Sequence, residues 1–85
     1  MIDAFAQAWG EYPCLDEKYG QAEVKWGGAM ENQTVTAYGQ VAIVAPDSTA
    51  HAVTVHELAH HWLGNSLTPK LWRDIWLNEG FARYV

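Results

Sequence analysis

Hydrophobic positions change period along this chain, and each change marks an element. Residues 2–9 are good helix formers that place Ile2, Phe5 and Trp9 on one face, which predicts a short amphipathic helix. Gly10 and the Tyr12-Pro13 pair end it, and residues 14–20 are polar and read as a loop. From 21 to 26 the apolar Ala22, Val24 and Trp26 alternate with Gln21, Glu23 and Lys25, the period of a half-buried strand. Gly27-Gly28 then allows a turn or a close backbone approach. Residues 34–45 are rich in Val, Thr, Ile and Tyr, and predict two short strands or one strand interrupted at Tyr38-Gly39.

The second half of the chain reads as helix. Pro46 pushes Ala45 out of helical geometry, Asp47 or Ser48 can cap, and a helix is expected over about 49–63, ended by Gly64-Asn65. The β-branched Val53, Thr54 and Val55 lower its intrinsic propensity, so packing has to hold it. Residues 66–72 form a connection with Thr68-Pro69 as a local cap and first turn. A last helix is expected from near Asp74 to the chain end, with Ile75, Glu79, Ala82 and Arg83 on overlapping faces. A small sheet combined with helices is an α+β arrangement. With no repeat, low-complexity run or linker, residues 1–85 read as a single unit.

Composition narrows the partners. The chain has 85 residues, near the size at which a core is marginal without help. Hydrophobic residues make up 49% and aromatics 13%, with five Trp, which suggests faces meant to be covered. A net charge of −5 without a basic cluster argues against nucleic acid and anionic membrane surfaces. Cys14 is alone and cannot form an internal disulfide. No apolar stretch reaches the roughly 18 residues of a membrane span, and no signal peptide is visible, so the cytoplasm is the default expectation for location.

The candidate chemistry sits in the predicted helix, at Val55-His56-Glu57-Leu58-Ala59-His60-His61-Trp62. Residues four apart share a helix face, so His56 and His60 can point two imidazoles at one metal ion, with Glu57 beside them as a general base. Catalytic zinc takes a third protein ligand and leaves a position for water. The carboxylates downstream are Asp74 and Glu79, and a second helix packed antiparallel could bring Glu79 to the ion across the 18 intervening residues 61–78. His51 lies roughly 140° from His56 around the helix, and His61 also points off the ligand face. Both read as surface or second-sphere residues. Tyr12, Tyr19, Tyr38 and Tyr84 read most simply as packing residues.

Three signatures then agree in order and spacing: Gly28-Ala29-Met30-Glu31-Asn32, His56-Glu57-x-x-His60, and Trp76-Leu77-Asn78-Glu79-Gly80-Phe81-Ala82. With Trp62, Gly64-Asn65 and Thr68 between them, the chain from about Tyr12 to Tyr84 resembles the catalytic core of the aminopeptidase N-like zinc metallopeptidases, in the gluzincin group. The resemblance implies one zinc ion on His56, His60 and Glu79, with Glu57 as general base. It implies a thermolysin-like site in which an edge strand carrying Gly28, Ala29, Met30, Glu31 and Asn32 lines the cleft. Substrate pairs with that segment as an added strand, and Glu31 holds the free α-amino group of a peptide. His61 departs from the family, where glutamine is more usual. In some related peptidases a carboxylate four residues after the glutamate ligand orients a zinc histidine; here that position is Arg83, so Asp74, a backbone carbonyl or a residue outside the chain must do so. The family's oxyanion tyrosine lies well downstream of the glutamate ligand, and Tyr84 is too close to it to match. Expected, therefore, is either an aminopeptidase core within a larger enzyme chain or a zinc-binding unit without turnover.

Overall fold

The computed structural model describes residues 1–84. Its elements are α1 (Ile2–Trp9), β1 (Gly20–Val24), β2 (Ala29–Met30), β3 (Val35–Gly39), α2 (Gln40–Ile43), α3 (Asp47–Ala59) and α4 (Trp76–Tyr84), with one 3-10 turn at Trp72–Asp74. This is the α+β class expected. The strands form one mixed sheet in the order β1-β3-β2, with β1 parallel and β2 antiparallel to β3. The chain passes from one edge to the other before returning through the middle. β3 is therefore the central strand, and Thr36, Ala37, Tyr38 and Gly39 are all buried.

Gly39 shows why the centre is tight. A Cβ there would collide with the carbonyl oxygen of Trp26, and the Gly39 N–H donates to the Gly28 carbonyl at 2.7 Å. The strand ends at that glycine and the chain turns into α2, so residues 34–45 hold one strand, ending at the Tyr38-Gly39 break, and a helical turn in place of any strand beyond it. The alternation over 21–26 also overstates burial. β1 stops at Val24, which is half-buried, while Ala22 and Trp26 are exposed. Period-2 patterning reports which side chains share a face, but burial needs a layer over that face.

The core gathers where α1 crosses the end of α3. Phe5, Tyr12, Leu58, Ala59, Trp62 and Ala82 are buried together, with Ile2, Trp9 and Val55 packed against them. Trp62 is the hub. Its ring lies 5.6 Å from Phe5, 6.4 Å from Trp9 and 5.3 Å from Tyr12, centroid to centroid. Its Nε1–H donates to the Gly10 carbonyl at 2.9 Å, closing the end of α1. Burying a side chain of this size contributes on the order of 2–3 kcal/mol, which explains how a chain with two-residue and five-residue strands holds together.

Helix α3 begins at Pro46 and not on a side-chain cap. The Pro46 carbonyl accepts from Thr49 N and Ala50 N, and neither Asp47 nor Ser48 makes a capping bond. Its regular turns stop at Ala59; His61 N and Trp62 N bond to carbonyls only three residues back, the tightening common at helix ends. No helix forms at Thr68-Pro69, and α4 begins at Trp76, later than expected, after the 3-10 turn. The expected extension of this helix through Val85 lies outside the described residues.

Two polar expectations change. His61 is no surface residue: it is 2% exposed in the core, and burial above all lowers its pKa. Its Nδ1 shares a hydrogen bond with the Tyr12 hydroxyl at 2.9 Å and its Nε2 one with Thr36 Oγ1 at 3.4 Å, and Thr36 in turn bonds Tyr19 at 3.0 Å. Tyr84, by contrast, is 88% exposed and packs on nothing in the core, whereas Tyr12 and Tyr38 are buried as expected. Removing the Tyr12 hydroxyl leaves the buried His61 Nδ1 without its partner while keeping the ring contacts. Tyr12→Phe should cost about 1–3 kcal/mol in urea denaturation, and an unchanged midpoint would show the network to be idle.

Candidate metal centre

Helix α3 carries His56 in its last turn and His60 immediately after it, one turn apart on one side. Their rings are 4.7 Å apart and nearly perpendicular, and the two Nε2 atoms approach to 3.2 Å. Helix α4 packs across this end of α3 and brings Glu79 up to both rings. One carboxylate oxygen lies 3.3 Å from His56 Nε2, the other 3.5 Å from His60 Nε2. Of the two candidate carboxylates the structure joins Glu79, and not Asp74, to the histidines: His56, His60 and Glu79 each offer a ligand atom, all within 4.8 Å of one another.

The spacing can be tested against an ion. Bonds of about 2.0–2.1 Å to tetrahedral zinc put the donor atoms about 3.3–3.4 Å apart. The observed separations of 3.2, 3.3 and 3.5 Å fit that triangle. The histidine tautomer fits as well. His60 Nδ1–H donates to the Leu63 carbonyl at 3.2 Å, which leaves the lone pair of Nε2 facing His56 and Glu79. For His60, a backbone carbonyl thus does the orienting that Asp74 was a candidate for.

Gly64 makes this close packing feasible. Its φ of +142° suits glycine, and a Cβ there would meet the His60 carbonyl at 3.0 Å, His60 Nδ1 at 3.3 Å and the Asn78 amide at 3.4 Å. Asn65, which follows, has a part that sequence reading missed beyond ending the helix. Its N–H donates to the His60 carbonyl at 2.9 Å, and its side-chain amide donates to the Glu31 carbonyl at 2.6 Å. One residue therefore ties the end of the histidine helix to the Gly28–Asn32 segment. Asn is common at helix ends, so nothing local in the sequence separates this role from simple termination.

That segment lies where an edge strand should. Ala29 and Met30 form β2 and pair with Tyr38 and Ala37 of β3, leaving β2's other side as the sheet edge. Gly28 leads into it, Glu31 is half-buried and Asn32 is exposed. The charge of Glu31 acts on Glu57.

Glu57 is 7% exposed and sits beside the histidines. Burial pushes its carboxyl up to about 7, helped by the charges of Glu31 and Glu79 and opposed by His60. A cleft of about 360 Å3 opens next to it, lined by Ser48, Thr49, Ala52, Val53, His56, Glu57 and Arg83. His51 is exposed and takes no part in the donor group.

Because the folded-state value of Glu57 is raised, the fold favours its neutral form. That contribution is complete below the unfolded value of 4.5 and is lost as pH rises through about 7. In chelator-treated protein the urea midpoint of the wild type should therefore fall relative to Glu57→Gln between pH 4.5 and pH 7. Parallel pH profiles for the two proteins would contradict it.

Comparison with known proteins adds the family. The model of the peptidase family M1 domain matches residues 12–85. Aminopeptidase N of Rattus norvegicus is 50% identical over 66 aligned residues, 68% of this chain and 7% of that protein. Endoplasmic reticulum aminopeptidase 2 of Bos taurus is 44% identical over 66 residues, with the same coverage. Leucyl aminopeptidase of Saccharolobus solfataricus is 43% identical over 65 residues, 68% of this chain and 8% of that protein. The chain thus spans less than a tenth of the length of these relatives.

Proposed function

The chain belongs to the peptidase M1 family, and on that premise we propose that residues 1–85 act as one unit, the zinc site of a thermolysin-like aminopeptidase domain within a larger enzyme. The observation that carries this reading is the convergence of His56 Nε2, His60 Nε2 and the Glu79 carboxylate beside the buried Glu57. His56, His60 and Glu79 would hold one zinc ion, and a bound ion would supply acidification of a water and polarisation of the scissile carbonyl.

The remaining work falls to side chains of this chain. Glu57 accepts the water's proton and returns it to the leaving amine, a role suited to a carboxyl with a value near neutrality. The open edge of β2 pairs with an extended peptide, so Gly28, Ala29, Met30 and Asn32 position its backbone. Glu31 binds the free α-amino group, so that cleavage releases one residue from the N-terminus.

A second reading is a zinc-binding unit without turnover. It draws support from Tyr84, the tyrosine nearest Glu79 in sequence, which is 88% exposed and lines the outer side of α4 with Trp76, Leu77 and Phe81. Two measurements separate the readings. Zinc-reconstituted protein should carry one ion per chain, and Glu79→Ala should weaken binding by more than about 100-fold, beyond the 10–100-fold usual for residues that only support ligands. Zinc should also raise the melting temperature, because an ion bound only by the native state stabilises it. Hydrolysis of an aminoacyl anilide that vanishes in Glu57→Gln, with zinc retained, supports the peptidase. Zinc without hydrolysis supports the second reading, and protein that holds no zinc overturns both.

A further inference from the structure

Among the described residues Arg83 is the one lysine or arginine lining the cleft beside Glu57. It lies four residues after Glu79 on α4, the spacing at which a glutamate and an arginine ordinarily pair on a helix surface. Here that partner is committed elsewhere, because both Glu79 oxygens face the histidines. Among the described residues Arg83 makes no ion pair within 4.0 Å. A basic residue in a last turn also suits the helix dipole, but the dipole does not require it to face a cleft.

The cleft's position gives this charge a use. Its lining comes from α3 and α4 alone, with Ser48 and Thr49 hydroxyls at the far end and His56 and Glu57 at the near end. Among the described residues none of 28–32 lines it, so the cleft adjoins Glu57 through residues other than the segment proposed to hold the amino end. A peptide whose first residue is held at Glu31, with its scissile carbonyl at the histidines, would place its second residue in this cleft. We propose that Arg83 makes the cleft select peptides carrying a carboxylate on the second residue, either the side chain of Asp or Glu or the free C-terminus of a dipeptide. The guanidinium presents a planar fork matched to a carboxylate, and the hydroxyls add neutral donors. The inference rests on the aminopeptidase reading and names its substrate class.

The test uses analogues in which CH2–NH replaces the scissile amide, so that they bind the zinc-loaded chain without being cleaved. Affinities are measured by titration calorimetry for Ala-Glu-amide, Ala-Gln-amide and Ala-Ala with a free carboxylate. Arg83 is exposed, so the carboxylate should gain only about fivefold over Ala-Gln-amide, falling as salt is added. Arg83→Gln should bring the ratio to about one without weakening Ala-Gln-amide, and Arg83→Lys should keep part of it. A preference for Ala-Glu-amide or for the free acid supports the proposal and identifies which carboxylate is read. Equal affinities in the wild type, or a preference that survives Arg83→Gln, overturn it and leave the aminopeptidase reading standing. If none of the three analogues binds, that reading falls and the proposal with it.

Discussion

The structure depends on the approach of α4 to the end of α3. Three electron-rich groups meet there, two imidazole nitrogens and a carboxylate, at separations of 3.2 to 3.5 Å. Such atoms desolvate one another, and without a proton or a cation between them their convergence is unfavourable. What holds them together is the surrounding packing: Ala82 buried against Leu58 and Ala59, Asn78 against Gly64, and the Leu63 carbonyl on His60. The same convergence explains why a cation of the right size would couple to folding.

The aromatic cluster secures the other end of that junction. Trp62 is placed directly after the histidine helix, and its contacts with Phe5, Trp9 and Tyr12 clamp α1 onto it. His61 fills the gap between this cluster and β3 through Tyr12 and Thr36. Two adjacent histidines therefore have opposite duties. His60 presents Nε2 to His56 and Glu79, while His61 is consumed by the core. The outward side of α4 is different again: Trp72, Trp76, Phe81 and Tyr84 are exposed there or just before it, as the aromatic content suggested.

Asn65 connects these parts to the edge of the sheet. By joining the His60 and Glu31 carbonyls it sets the Gly28–Asn32 segment at a fixed position relative to the histidines. The charge of Glu31 then acts on Glu57, so these two carboxyl groups, one on the edge segment and one on the histidine helix, belong to one electrostatic unit. Arg83, on α4, lines the same cleft as Glu57.

Much of this was legible along the chain. The helix over residues 2–9, the α+β class and the placing of His56 and His60 on one face follow from spacing, because a helix repeats every 3.6 residues whatever surrounds it, whereas Glu79 over Asp74 was implied only by the family resemblance. Tertiary structure decided what spacing cannot express. The alternation at 21–26 did not say whether a layer would cover Ala22. The capping propensity of Asp47 and Ser48 yielded to the Pro46 carbonyl. His61 could not be assigned to the core without knowing that Tyr12 and Thr36, 49 and 25 residues away, would meet it. Nor could Asn65 be seen to hold Glu31, 34 residues earlier. Local periodicity is fixed by backbone geometry, which every residue carries with it. Burial and hydrogen-bond partnership are properties of pairs, and they exist only once the chain has brought distant residues together.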